Sequence, residues 1–130
     1  MNKKKIVIII GIFLIIGACF GARDKIVFQI SLNRAHYYME NGNNEDAIKE
    51  YNSMIEKAPD VYELYVNKAI LLAEMKDYDK ALATFKEAEA INANDAELYY
   101  NMAHLYNLMG NRNLEEKCVD KAASLELKTD

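Results

Sequence analysis

A spacing of 34 residues recurs through most of the chain and constrains its fold more than any other feature. The residues that return at this interval form two columns: Ala35, Ala69 and Ala103, and Asn33, Asn67 and Asn101. Aligning the chain on these columns gives three blocks, residues 28–61, 62–95 and 96–129. Self-similarity with a period of about 20–50 residues is typical of folds in which one small unit stacks on its neighbours.

Each block is predicted to form two antiparallel helices joined by a tight turn. Apolar residues follow helical spacing on both sides of a central break, which falls at Gly42, Lys76 and Gly110. The predicted helices are Phe28–Asn41, Glu45–Lys57, Val61–Met75, Tyr78–Asn92, Ala96–Met109 and Leu114–Leu127. The predicted helix N-caps, chosen for residue type and for the spacing of a capping box, are Asp60, Asp77 and Asn94.

Large and small apolar residues occupy equivalent places in the blocks. In the first helices the large ones are Tyr38, Tyr65, Leu72, Tyr99 and Tyr106. In the second helices the matching residues are Ala47, Tyr51, Ala81, Phe85, Ala88 and Ala122, and Pro59 lies near the end of the first block. These residues resemble the tetratricopeptide repeat, although Ser31, Met54, Glu115 and Val119 depart from its pattern. The resemblance implies an all-α fold: an α-solenoid of three helix–turn–helix repeats within residues 23–129. The apolar run that precedes the repeats predicts an additional apolar N-terminal helix.

Residues 1–22 are predicted to be a membrane anchor or signal segment. Three lysines, Lys3 to Lys5, precede 17 residues without a charge, a length at the short end of membrane spans. The sequence Ile16-Gly17-Ala18-Cys19 resembles a bacterial lipoprotein signal, which implies possible lipidation at Cys19. An uncleaved span, a lipoprotein and a cleaved signal all remain open. All three place the repeats on the extracytoplasmic side. The first two keep the protein at the bacterial cell membrane, and in the first the N-terminus stays cytoplasmic.

Composition and motifs exclude several classes of function. Beyond residue 18 the chain has 13 basic and 20 acidic residues, so phosphate backbones would repel it and no nucleic-acid partner is expected. No phosphate-binding loop or nucleophile motif is present. His36 and His104 stand two repeats apart, about 15–20 Å, which is too far to share a metal. We therefore expect neither catalysis nor a metal or cofactor.

The first helices of tetratricopeptide repeats line a concave groove, and the resemblance places a set of side chains there. They are Asn33, Asn67, Asn101, His36, Ile70, His104, Val66, Tyr100, Glu63 and Glu97. In related proteins a ladder of Asn at this position binds peptide main chain, since an amide both donates and accepts hydrogen bonds. The alternative is that these Asn residues bond within their own repeats. Because the groove carries acids, a neutral or basic segment fits it better than an acidic tail.

The sequence thus predicts a membrane-anchored module for protein–protein interaction, an adaptor or assembly factor that binds an extended segment of a partner protein. One alternative is a structural subunit of an envelope complex that self-associates through the open end of the third repeat, around Leu125 and Leu127, and so forms a homo-oligomer. Another is a non-catalytic accessory that tethers an enzyme.

Overall fold

The computed structural model describes residues 25–127, which form six α-helices and no strand. The helices are α1 (residues 25–40), α2 (Asn44–Lys57), α3 (Tyr62–Glu74), α4 (Tyr78–Ile91), α5 (Ala96–Leu108) and α6 (Arg112–Glu126). The prediction of an all-α chain with paired helices is confirmed, with bounds that agree to within three residues. The predicted apolar N-terminal helix, membrane anchor and lipidation site at Cys19 lie outside the described residues.

The turn inside each repeat has the same geometry. Gly42, Lys76 and Gly110 stand 34 residues apart, and all three have a positive φ, of 73°, 63° and 72°. In the second repeat the Lys76 N–H donates to Ala73 and the Asp77 N–H donates to Leu72, at 2.9 Å each. These are the two bonds of a Schellman motif, which satisfies the last carbonyls of a helix through a left-handed residue. Each helix break predicted from the sequence is therefore the end of an α-helix that is closed by one residue in the left-handed conformation.

Small residues set the packing of the two helices within a repeat. Ala35 and Ala69 are completely buried, and the second-helix alanines Ala47 and Ala81 are buried with them. Side chains of this size let two helix axes approach to about 8–10 Å. The aromatic rings of Tyr51, Phe85 and other residues then fill the space between successive hairpins.

The array curves with its first helices on the inner side. Within each of the last two repeats the paired helices pack along their whole length, α3 on α4 and α5 on α6. The first helices α3 and α5 also contact each other, whereas no Cα pair of the second helices α4 and α6 lies within 8 Å. The inner wall is thus built from successive first helices.

Two of the predicted N-caps are wrong by one residue. Helix α5 is capped by Asp95, not Asn94: its carboxylate accepts a hydrogen bond from the Glu97 N–H at 2.9 Å. Val61, not Asp60, is the N-cap of α3. Asp77 does precede α4, but its carboxylate pairs with the Lys80 ammonium at 2.6 Å and makes no capping bond.

Within residues 25–127, none of the helices combines the length and the apolar character needed to cross a membrane.

Candidate protein-binding groove

An apolar pocket lies between α3 and α5 on the inner side of the array. Its volume is about 130 Å³, and it is lined by Ile70, Ala73, Glu74, Phe85, Asn101, His104, Leu105 and Leu108. Phe85 and Leu105 are fully buried and form its floor, while Glu74, His104 and Leu108 are exposed at its rim. A dry cavity of this size holds a group as large as benzene, so the pocket has room for one apolar side chain.

The side-chain amide of Asn101, which borders this pocket, has a donor without an acceptor. Its Nδ2 is the one side-chain nitrogen or oxygen of residues 25–127 that is shielded from solvent and has no hydrogen-bond partner. A buried donor left in that condition costs about 1–3 kcal/mol. An acceptor brought into the pocket by another molecule would remove this cost.

The other members of the Asn column have different surroundings. Asn67, on α3, is partly buried. Asn33 is exposed on α1, and its Oδ1 accepts a hydrogen bond from Gln29 Nε2 at 3.0 Å. A neighbouring residue of the same helix thus satisfies part of the amide of Asn33, whereas the Nδ2 of Asn101 has no acceptor within residues 25–127.

The remaining groove residues are spread along the inner wall. Ile70 and His104 meet Asn101 at the pocket, whereas Val66 is partly buried and His36 is exposed on α1. Glu63 and Glu97 are exposed in the first turns of α3 and α5, where a negative charge also stabilises the positive end of the helix dipole.

Tyr100 is directed toward the second helix of its own repeat. Its hydroxyl donates to a carboxylate oxygen of Glu126 on α6 at 3.1 Å. This hydrogen bond raises the pKa of the Tyr100 hydroxyl, with smaller contributions from burial and from the negative charge. The hydroxyl thus contacts the last turn of α6, and Tyr100 is not among the residues that line the pocket at Asn101.

No arrangement for catalysis or metal binding is found in the part of the chain that the structure describes. Residues 25–127 contain no cluster of three His, Cys, Asp or Glu side chains that could hold a metal ion. Cys118 is half-buried, and burial, together with the nearby charge of Glu89, raises the pKa of its thiol. A thiol with a raised pKa is a poor nucleophile at neutral pH.

The buried or partly buried pocket residues Ala73, Phe85 and Leu105 were not predicted from the sequence to line the groove. Phe85 belongs to a second helix and was assigned to the core by its place in the repeat. Phe85 lines the pocket because α3 and α5 are separated by a gap, and the ring of Phe85 lies at the bottom of that gap. No local signal in the sequence reports the size of that gap.

Stacked helical hairpins with a groove along their first helices define a helical repeat protein of the α-solenoid class. A family model described as tetratricopeptide repeat matches residues 32–96, half of the chain, and a second model of that description matches residues 96–129. The chain belongs to the tetratricopeptide repeat family, whose fold is a scaffold for protein–protein interaction and is generally non-catalytic.

Relatives of known sequence share the repeats but are much longer. Tetratricopeptide repeat protein 12 of Homo sapiens is 25% identical over 105 residues, which is 81% of this chain and 15% of that protein. A TPR repeat-containing protein of Methanocaldococcus jannaschii is 28% identical over 105 residues, 81% of this chain and 33% of its own length. The chain thus spans a third or less of these relatives.

Solved structures share the fold at low sequence identity. MamA superposes with a TM-score of 0.70 at 17% identity, covering 79% of this chain and 59% of MamA. SycD, a type III secretion translocator chaperone of Yersinia enterocolitica, gives a TM-score of 0.70 at 16% identity, covering 75% of this chain and 74% of SycD. At these identities the likeness shows the fold alone.

Proposed function

We propose that this protein is an adaptor or assembly factor that binds an extended segment of a partner protein along the inner wall of the array. The observation that carries the proposal is the shielded Nδ2 of Asn101, which has no acceptor within residues 25–127 and borders an apolar pocket. A main-chain carbonyl of a bound peptide would supply that acceptor. The side chain of the same or the next residue would fill the pocket.

The lining of the pocket favours a particular kind of segment. Ile70, Ala73 and Leu108 provide apolar contact, and no Lys or Arg is among the residues around the pocket. Glu74 places a negative charge at the rim. Electrostatic complementarity therefore favours a neutral or basic segment with one aliphatic or small aromatic anchor. The structural likeness to a translocator chaperone is consistent with this role, since this fold can serve a protein that handles another polypeptide.

The proposal also includes the cellular location of the protein. Residues 1–22 would hold the protein at the bacterial cell membrane, as an uncleaved anchor or through a lipidated Cys19, with the repeats of residues 23–129 on the extracytoplasmic side. Mass spectrometry of the membrane fraction distinguishes these forms. An intact N-terminus supports the anchor, and a species that begins at a lipid-modified Cys19 supports the lipoprotein. A species lacking residues 1–22 and any lipid contradicts both.

An array of peptides from bacterial envelope proteins, probed with the full chain, tests the groove. We expect peptides with an apolar residue among neutral or basic ones to bind. Their binding should weaken about tenfold with Asn101→Ala, the loss typical of one buried hydrogen bond. Asn67→Ala should weaken the same peptides, because the segment continues along α3.

Asn52 provides the matched control. It is exposed on the second helix α2, away from the inner wall, so Asn52→Ala should leave peptide binding unchanged. If peptides bind equally well to the Asn101→Ala, Asn67→Ala and Asn52→Ala variants, the inner wall is not the binding surface.

A further inference from the structure

The first helix of the array, α1, exposes an apolar face. The equivalent faces of the first helices in the other two repeats are buried. In the second repeat, Leu64 and Leu71 are 2% and 0% exposed. At the same places in the third repeat, Leu98 and Leu105 are each 1% exposed. The equivalent residues of α1, 34 positions earlier, are Ile30 and Tyr37, and they are 55% and 59% exposed. Ile26 and Val27 extend this exposed face toward the start of the helix.

The difference arises because a preceding hairpin covers each later first helix. Leu64 and Leu71 lie in one buried cluster with Tyr51 and Met54 of the first repeat. No hairpin covers α1 within residues 25–127, and the apolar residues of this face are exposed there. Clustered apolar residues of this size on a surface mark an interaction site.

The opposite end of the array has polar residues at places that are apolar in the first repeat. The third-repeat counterparts of Ile48 and Met39 are Glu116 and Asn107, and Asn107 donates to Glu115 at 3.0 Å. The counterpart of Phe85 is the smaller Val119. A second array stacked head to tail would therefore have to bury Ile30 and Tyr37 against this polar surface, at a cost in desolvation. Of the two residues that the sequence suggested for self-association, Leu125 is buried within its own repeat, whereas Leu127 is 80% exposed.

The apolar residues of α1 have the spacing found in helices that form coiled coils. Ile26, Ile30, Asn33 and Tyr37 follow one another at intervals of four, three and four residues, the spacing of a coiled-coil seam. An amide within such a seam, here Asn33, is a common device for fixing register. The seam thus suits a second copy of itself.

Charge favours an antiparallel pair. Lys25 lies in the first turn of the described α1 and Glu40 in its last turn. A parallel pair would place each charge beside its own copy, whereas an antiparallel pair places Lys25 of one chain beside Glu40 of the other. Antiparallel packing also aligns the helix dipoles favourably.

We infer that two copies of this protein pack α1 against α1 in an antiparallel, two-fold symmetric dimer through Ile26, Ile30 and Tyr37. The dimer closes on itself, so the Asn101 pocket and the carboxyl ends of both arrays stay free. This inference uses a different surface from the Asn101 pocket and does not depend on the proposed function.

Sedimentation velocity of the full-length chain in a mild detergent tests the dimer. We expect a concentration-dependent shift from one to two chains per particle. The double variant Ile30→Glu/Tyr37→Glu should raise the dissociation constant of the dimer at least about tenfold. The matched control is Val119→Glu, which places a carboxylate on the apolar residue at the opposite end and should leave the dimer intact. Circular dichroism of each variant checks that the helices are retained.

A mixing experiment separates repulsion in the dimer from damage to the fold. Ile30→Glu and Ile30→Lys chains should each dissociate alone and should form a mixed dimer when combined, because the two positions lie close to the two-fold axis. The inference is overturned by a wild-type chain that stays monomeric, whether its α1 face is covered by residues 1–24 or by another protein. It is equally overturned by a dimer that persists in Ile30→Glu/Tyr37→Glu or is lost in Val119→Glu.

Discussion

The hydroxyl of Tyr62, at the start of α3, donates a hydrogen bond to the carboxylate of Asp95, the N-cap of α5. The two oxygens of Asp95 have separate partners: Oδ2 accepts from Tyr62, and Oδ1 accepts from the Glu97 N–H. The side chain of Asp95 thus caps the start of α5 and connects it to the start of α3. Adjacent repeats of a solenoid are stabilised mainly by such nearest-neighbour contacts.

The Tyr62–Asp95 contact predicts a loss of stability at high pH. The hydrogen bond to Asp95, with burial and nearby acids, raises the pKa of Tyr62 from 10.0 to about 12. Between these values the folded chain keeps a proton that the unfolded chain releases. The contribution of Tyr62 is therefore complete below pH 10 and is lost as the pH rises toward about 12. Denaturant unfolding of wild type and Tyr62→Phe across this range should show a shallower decline in the variant.

Tyr99 serves as an internal reference for that experiment. Burial, and then a hydrogen bond to Glu89, raises the pKa of Tyr99 to about 12 as well. Both proteins retain Tyr99 and the lysines, so only the difference between their slopes reports on Tyr62. Equal slopes would mean that the phenol of Tyr62 does not donate to Asp95 in solution.

A second prediction concerns Asp95 as a cap. Asp95→Ala removes both the capping bond of α5 and the acceptor for Tyr62. We expect the free energy of unfolding to fall by about 1–2 kcal/mol, the usual loss for an N-cap. Asn94→Ala, at the residue that the sequence suggested as the cap, should change it by less than about 0.5 kcal/mol. Equilibrium denaturation that ranks the two variants in the reverse order would contradict the structure.

The N-cap of α5 shows where prediction from the local sequence fails. Asn94 and Asp95 are both good N-caps by residue type, and Asn94 also has the spacing of a capping box. The structure selects Asp95, whose backbone is extended and whose carboxylate receives a bond from Tyr62, 33 positions earlier. A contact between repeats decides between two neighbours that local preferences cannot separate.

The repeat period predicted most of the fold and less of the site. Because successive blocks are equivalent, one alignment placed six helices to within a few residues and identified the buried alanines. The same alignment assigned Asn67 and Asn101 to one column, and their role in binding remains a prediction. It could not predict that Asn101 Nδ2 is shielded without a partner, since this depends on how far α3 and α5 separate above Phe85.

Equivalent positions that differ in burial give a third prediction. Phe85 is 1% exposed between two hairpins, whereas Val119, one repeat later, is 41% exposed at the end of the array. Phe85→Ala should lower the free energy of unfolding by about 3–5 kcal/mol through the cavity that it leaves. Val119→Ala should lower it by no more than about 0.5 kcal/mol. Thermal and denaturant unfolding measure both, and comparable losses would show that something covers Val119 in solution.

The left-handed turn of the second repeat gives the last prediction. Gly42 and Gly110 occupy this place in the other repeats, but here Lys76 adopts a φ of 63°. A side chain in this region strains the backbone by about 1–2 kcal/mol, and glycine removes that strain while gaining freedom in the unfolded chain. We therefore expect Lys76→Gly to raise the free energy of unfolding by up to about 1 kcal/mol in denaturant titrations. Lys86→Gly, in the middle of α4, should lower it by about 1 kcal/mol, and a loss in both variants would mean that Lys76 is not held in the left-handed conformation.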